Sequence, residues 1–291
     1  MKIITESTNE NTKDIDLVST LEIVRKINKE DEIVAHAVKK EEKNIAFAID
    51  EISKRFLNGG KLYYFGAGTS GRLGVLDASE CPPTFSSNLV QGIIAGGDSA
   101  LRYALEGAED DFELGKTDAK ILSKKDVAVL ISASGNPNYL LGVAEAAKEK
   151  KAKIIALTCN KKAKIIEVAD IKICTEVGPE VISGSSRMKA GTAQKMVLNM
   201  LSTASMVKIG KTYENFMIDV RPTNEKLKKR AIQIVSDITG AEPKKSKEVL
   251  EKCSWKVKAA VLVIKKGVTY KESLDILEKN SGVLRKALGI K

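Results

Sequence analysis

The sequence predicts a doubly wound α/β domain: a parallel sheet flanked by helices, with a small helical bundle at the C-terminal end. Three observations lead there. Between residues 61 and 208, short and continuously apolar runs alternate with amphipathic stretches, the rhythm of parallel strands buried on both faces. Turns rich in glycine and hydroxyl residues follow several of those runs, at the strand ends where such sheets bind ligands. Beyond Arg221-Pro222-Thr223 only helical periodicity remains.

Taken in order, residues 17–57 read as helical. Thr20 is placed to cap the Leu21-Glu22-Ile23 run, and Ile33-Val34-Ala35 leads into Ile45, Phe47, Ile49 and Ile52. Strands are expected at 61–65, 90–95, 126–131, 153–158 and 171–174, and helices at 70–78, 99–110, 138–149, 162–167 and 188–208. Pro82-Pro83 should end the first of these helices and fix an extended segment. In the tail, Gly240, Pro243, Gly267 and Gly282 punctuate roughly four short helices. Leu250, Val257, Ala260, Val261, Ile264, Leu274, Ile276, Leu277 and Leu284 are spaced to form their core. Residues 1–224 and 225–291 are expected as the two domains.

Composition narrows the function. No apolar run of about 20 residues is present, so no membrane-spanning helix is expected. The polar start, Met1 to Asp14, has no signal-peptide core. The cysteines, Cys81, Cys159, Cys174 and Cys253, form no C-x-x-C pair, and His36 is the single histidine. A metal site is therefore not expected, and reduced thiols in a cytoplasmic setting are. The net charge of +10 is uneven: residues 225–291 hold 17 Lys and Arg against 8 Asp and Glu. A solvated helical face explains this better than nucleic-acid binding, because the tail has few aromatics and no nucleic-acid motif.

Three turns carry the chemistry. In Phe65-Gly66-Ala67-Gly68-Thr69-Ser70-Gly71-Arg72 an apolar run stops at Gly-x-Gly, followed by two hydroxyls, a glycine and an arginine. Strand, tight turn and helix N-terminus in that order suit a phosphate. The glycine spacing also matches a dinucleotide fingerprint, a weak signal alone, and no Gly-Lys-Ser/Thr follows to make a Walker A loop. The second turn is Ser132-Ala133-Ser134-Gly135-Asn136. The third, Ser183-Gly184-Ser185-Ser186-Arg187-Met188-Lys189, opens a long helix. Together they suggest a phosphorylated ligand.

Two acidic features accompany the turns. Glu80 stands just before Cys81-Pro82-Pro83 near the sheet's ligand edge, a position for a general acid. An ordinary surface glutamate is the commoner reading of a lone Glu. Glu106-Gly107-Ala108-Glu109-Asp110-Asp111 is read as the end of the helix from Ser99, with Glu106 and Glu109 on one face. Acids there would oppose the helix dipole, a conflict that hints at function. Glu80 with either glutamate makes a carboxylate pair.

Gly-Ala-Gly-Thr-Ser-Gly-Arg-Leu-Gly at 66–74 and Leu-Asp-Ala-Ser-Glu-Cys-Pro-Pro-Thr at 76–84 closely resemble the N-acetylmuramic acid 6-phosphate etherases. So do Glu-Gly-Ala-Glu-Asp at 106–110, Ser-Ala-Ser-Gly-Asn at 132–136, and Ile-Ser-Gly-Ser-Ser-Arg-Met-Lys-Ala-Gly-Thr-Ala-Gln-Lys at 182–195. The likeness reaches Thr5-Glu6, Ile15-Asp16 and Val220-Arg221-Pro222-Thr223-Asn224, and so covers nearly the whole chain. One departure is visible: Ser7-Thr8-Asn9 stands where the family often has Arg-Asn after Thr-Glu-x.

The resemblance implies a sugar isomerase (SIS) fold and a C-terminal region like a ubiquitin-associated bundle. It implies cleavage of the D-lactyl ether of N-acetylmuramic acid 6-phosphate to N-acetylglucosamine 6-phosphate and D-lactate, without metal or cofactor. Carried over by position, the resemblance implies Glu80 as the acid and Glu109 as the second catalytic carboxylate, the base at C2, with Glu106 the alternative. The expected binding residues are Gly68, Thr69, Ser70, Arg72, Ser132, Ser134, Gly135, Asn136, Ser183, Ser185, Ser186 and Lys189. A homodimer is expected, with no nucleic-acid or membrane partner. Two other functions fit the turns: a sugar-phosphate isomerase, and a regulator that senses a sugar phosphate without Glu80 or Glu109 acting.

Overall fold

The computed structural model describes residues 6–220, 222 and 224–290. Thr5, Arg221 and Thr223 of the family-like segments lie outside the described residues. The chain divides into two compact units, one of residues 1–79 and 89–205, the other of residues 80–88 and 206–291.

The first unit opens with a 3-10 turn, Glu10–Thr12, and two helices, α1 (Thr20–Lys39) and α2 (Glu42–Leu57). Ser19, not Thr20, caps α1, its hydroxyl accepting from the Glu22 N–H at 3.4 Å. Extended backbone at Ser19 lets the side chain turn back on the first turn, while Thr20 is already helical.

The sheet then forms from β1 (Leu62–Gly66), β2 (Val90–Ile94), β3 (Val127–Ile131), β4 (Lys153–Thr158) and β5 (Ile171–Cys174). It is parallel throughout, in the order β2-β1-β3-β4-β5. Every residue of β1 and β3 is buried, as expected for central strands covered on both faces. The crossovers are α3 (Gly68–Phe85), α4 (Ser99–Arg102), α5 (Phe112–Asp118), α6 (Asn138–Glu149) and α7 (Lys164–Val168), and α8 (Lys189–Lys208) follows β5. The strand order reverses between β1 and β3, which makes the crevice at their carboxyl ends the ligand position.

Two expectations about helix ends are corrected. α3 does not stop at Pro82-Pro83 but runs through both to Phe85. The prolines fall in its last turn, where they remove only two rungs, and the Ser86 N–H closes that turn on the Pro82 carbonyl at 2.9 Å. The helix from Ser99 ends at Arg102, and residues 106–110 form turns. Gly107 holds φ +79 there, which breaks a helix. The acids thus do not oppose a helix dipole. Asp111 instead caps α5, accepting from the Leu114 N–H at 2.8 Å, with Glu113 in the first turn.

The second unit holds the 80–88 segment, a β6 (Thr212–Tyr213) and β7 (Phe216–Met217) antiparallel hairpin, and five helices: α9 (Glu225–Thr239), α10 (Pro243–Lys252), α11 (Val257–Lys266), α12 (Tyr270–Lys279) and α13 (Leu284–Leu288). The count exceeds the expected four because α13, after Gly282, makes a further short turn of helix. Leu250, Val257, Ala260, Val261 and Leu284 form its buried core, with Ile264, Leu274, Ile276 and Leu277 packed against it. Most lysines of the unit are exposed. Lys258 is an exception: its ammonium donates to Asp219 Oδ2 (2.9 Å) and to the carbonyls of Gly210 (3.0 Å) and Gly282 (2.9 Å). Burial pulls its pKa down.

Candidate functional site

The first turn is a close meeting of backbones. A Cβ on Gly66 would lie 2.6 Å from the Gly71 nitrogen, so no other residue fits there while α3 starts so near β1. Gly66 pairs with Ile131 across the sheet, which sets the Gly66–Ser70 turn beside the Ser132–Asn136 turn at the strand ends. In the second turn the Gly135 N–H donates to Ser132 Oγ (3.0 Å), and the Ser132 and Ser134 hydroxyls lie 3.5 Å apart. Gly135 has φ +71, and a Cβ there would come within 2.3 Å of the Ala163 Cβ. Asn136 accepts from the Lys164 N–H through Oδ1 at 3.2 Å, and Asn160 Nδ2 holds the Ser134 carbonyl at 3.0 Å. The loop is a rigid cradle of two hydroxyls.

The third turn reaches the first through helix packing. Ser70 donates to Gln194 Oε1 at 3.0 Å, and a Cβ on Gly191 would touch the Thr69 methyl at 3.6 Å. Ser183 is exposed and Ser185 and Ser186 half-buried. The N-terminus of α8 is not open to a ligand, however. The Glu180 carboxylate, fully buried, accepts the N–H groups of Lys189 and Ala190, both at 2.9 Å. Burial raises the Glu180 pKa against those two bonds.

Lys189 is likewise occupied. It is 1% exposed, and its ammonium lies 2.5 Å from Glu30 Oε2. Glu30 also accepts from Asn9 Nδ2 (2.7 Å) and Asn11 Nδ2 (2.9 Å). Burial works to raise the Glu30 pKa, but the bonds from Lys189, Asn11 and Asn9 outweigh it and hold the carboxyl below its usual range. Thr12 Oγ1 donates to the Val181 carbonyl at 2.8 Å. Both ends of the serine loop are therefore anchored, at 179–181 and at Lys189, and Lys189 acts as an anchor whose charge faces Glu30.

A cavity of about 240 Å³ opens at the same edge, lined by Gly68, Arg72, Tyr103, Glu106 and Glu109 among others. Arg72 does not present its guanidinium freely. Nε donates to the carbonyls of Ala100 and Leu101, both 3.1 Å, and Nη2 to that of Tyr103 at 3.0 Å. It fastens the end of α4 and with it the turn carrying the acids. The Glu109 carbonyl accepts from the Tyr139 N–H at 3.0 Å, at the start of α6. That bond fixes the Glu109 backbone beside the Ser132–Asn136 cradle. Glu106 and Glu109 are both exposed.

Glu80 falls in the second unit, exposed on α3 one turn beyond Asp77. Asp77 is buried and bonded by Tyr64 Oη (3.0 Å), Asn199 Nδ2 (2.5 Å) and Ser202 Oγ (3.1 Å). The cysteines offer no nucleophile: Cys81 is buried, and burial pushes Cys159 and Cys174 up to about 12. His36 is exposed on α1. Among the described residues, no cluster of three or more His, Cys, Asp or Glu side chains is arranged to hold a metal, and no helix is long and apolar enough to cross a membrane.

Sequence reading missed Glu30, Glu180, Asp77 and Gln194. A buried ion pair between residues 30 and 189 has no local signature, and Lys189 in a serine-rich turn read as a phosphate ligand.

The sheet order, the hydroxyl turns at the switch point and the helices on both faces define an SIS-domain protein. Residues 108–204 match the SIS domain model, 44–148 the N-terminal SIS domain of glucokinase regulatory protein, and 214–269 that protein's C-terminal lid domain. Phosphoheptose isomerase from Neisseria gonorrhoeae shares the fold, with a TM-score of 0.51 at 19% identity over 64% of this chain and 98% of that one. The chain belongs to the N-acetylmuramic acid 6-phosphate etherases. It is 52% identical to the one from Clostridium botulinum (Loch Maree), over 99% of this chain and 96% of the relative. It is 49% identical to the one from Vibrio atlanticus, over 98% and 95%.

Proposed function

We propose that this protein cleaves the D-lactyl ether of N-acetylmuramic acid 6-phosphate, giving N-acetylglucosamine 6-phosphate and D-lactate. The observation that carries this reading is full-length identity of about half to etherases, on a fold that puts three hydroxyl turns and an acid-lined cavity at one sheet edge. The reaction suits carboxylates. In the open-chain sugar the C2 proton is α to the aldehyde and can be removed by a base. The C3–O bond then breaks as an acid protonates the lactyl oxygen. Water adds across the new C2–C3 double bond, hydroxide at C3 and a proton at C2. In this reading Glu109 is the base and Glu80 the acid. The bond from Tyr139 to the Glu109 carbonyl supports Glu109 over Glu106, since a base must be held in place.

The 6-phosphate is read by Ser70, Ser132, Ser134 and the Ser183–Ser186 loop, with hydroxyls and backbone N–H groups as donors. Arg72 and Lys189 shape that site through the carbonyls and the carboxylate they bind. The functional unit is a homodimer in the cytoplasm. Leu21 and Val24, 58% and 57% exposed one turn apart on α1, with Leu17, 81% exposed, in the turn before it, support a partner there. The test is incubation of the purified protein with N-acetylmuramic acid 6-phosphate and an assay for D-lactate. An isomerase or a sensor would release none.

A further inference from the structure

Gln194 lies on the second turn of α8 counted from the serine loop, in the family-like Ala-Gly-Thr-Ala-Gln-Lys run, and nothing above gives it a task. The residue is 1% exposed. Only one end is bonded: Oε1 accepts from Ser70 Oγ at 3.0 Å, while Nε2 has no partner among the described residues. A buried amide donor left unpaired is costly, and an apolar side chain of the same length would avoid the cost. Such an orphan calls for a reason.

Ser70 provides one. It stands in the first turn of α3, itself 9% exposed, directly after the Gly66–Thr69 turn. In this arrangement its single proton goes to Gln194, so it has none to give a phosphate oxygen. Turning the amide by half a revolution about its last side-chain bond exchanges Oε1 and Nε2. Nε2 then donates to Ser70 Oγ, and the Ser70 proton is free. The two groups keep one bond between them in either state, and the second state adds one to an anion.

We propose that Gln194 is a positioning residue that sets the direction of the Ser70 hydroxyl: with a phosphorylated sugar bound, Gln194 Nε2 donates to Ser70, and Ser70 donates to the phosphate. The proposal rests on the reading of Ser70 as a phosphate donor. A carboxamide does this and a carboxylate cannot, because only the amide offers both a donor and an acceptor at one site.

The experiment measures KM, kcat and thermal stability with N-acetylmuramic acid 6-phosphate for Gln194→Glu, Gln194→Met and Ser70→Ala, and for each Gln194 variant combined with Ser70→Ala. Gln194→Glu should raise KM by about tenfold or more, with kcat within about twofold, since the carboxylate takes the Ser70 proton for itself. Gln194→Met should raise KM less, because Ser70 stays free to donate but is unguided. Both effects should vanish in the Ser70→Ala background. Equal KM for the two Gln194 variants, or effects that persist without the Ser70 hydroxyl, would overturn the positioning role. If Gln194→Glu does not fold, additivity of Gln194→Met with Ser70→Ala overturns it and coupling supports it. Should Ser70→Ala leave KM unchanged, the phosphate reading of Ser70 fails and takes this proposal with it. A raised KM for Ser70→Ala beside indifferent Gln194 variants sinks the positioning role alone.

Discussion

Lys189 and Glu30 are 159 residues apart and form an ion pair of 2.5 Å, with side chains 1% and 9% exposed. The pair joins α1 to the first residue of α8, at the foot of the serine loop. Glu30→Gln leaves a buried ammonium without its counter-charge, and at pH 7 should cost about 3–5 kcal/mol of stability. The pH dependence has a definite sign. The folded-state pKa of Glu30 is held below the ordinary 4.5, so its contribution is present above that value and lost as pH falls through the folded pKa. Urea unfolding of wild type and Glu30→Gln should thus differ clearly at pH 7 and converge in acid. A gap that stays constant with pH means the carboxylate is not the stabilising species.

Removing either carboxylate proposed as catalytic should abolish lactate release from a folded protein. Glu80→Gln and Glu109→Gln keep shape but cannot exchange a proton, and general acid–base help is worth ~10²–10⁴-fold. Glu106→Gln serves as the control on the same turn and should retain most activity. Circular dichroism checks the fold. Turnover surviving in Glu109→Gln but not in Glu106→Gln would exchange the two roles.

The hydroxyl cradle should discriminate phosphate. Ser134→Ala removes a bond to a charged group, worth about 1.5–3 kcal/mol of binding. Competition by N-acetylglucosamine 6-phosphate should weaken accordingly, and that by unphosphorylated N-acetylglucosamine should not. Equal weakening of both would show that the loop reads the sugar rather than its phosphate.

Arg72→Lys should impair kcat more than it impairs folding. Arginine spans the three carbonyls of Ala100, Leu101 and Tyr103 from a planar fork, and a lysine ammonium cannot reach them together. The turn at 103–110 then loosens, and misplacing a catalytic group by about 1 Å can cost ~10²-fold. Amide exchange in that turn should accelerate in step with the lost turnover. Unchanged exchange with lost turnover would point to direct ligand contact by the guanidinium.

Charge on the exposed apolar pair of α1 should break the proposed dimer. Leu21→Glu with Val24→Glu puts two carboxylates on a face that a partner would bury. Light scattering should move from dimer to monomer mass. A wild-type protein that is already monomeric and fully active would remove the dimer from the functional reading.

Local patterning determined much of this protein. The five strands were legible because both faces of a parallel sheet are buried, which leaves continuous apolar runs such as Val127–Ile131. The turns after β1 and β3 were legible because glycine is demanded at 66 by close backbone approach and at 135 by a positive φ and crowding from Ala163. The tail's lysines read correctly as a mostly solvated face, since the apolar spacing already filled its core. Motif order alone also led to Glu80, Glu109 and the serines as the candidate site residues.

Tertiary structure decided what those side chains are free to do. Arg72 and Lys189 look like phosphate ligands in sequence, but each spends its charge on oxygens brought in from elsewhere in the chain, carbonyls for one and Glu30 for the other. The N-terminus of α8 looks like an anion site until Glu180 closes it. The acidic run at 106–111 looks like the end of a helix until Gly107 turns it and Asp111 starts the next one. Propensity acts over a few residues, whereas a hydrogen bond across more than a hundred residues depends on which elements pack together. That is why the sequence alone could name the chemistry at this sheet edge, and only the packing could say which donors remain for a ligand.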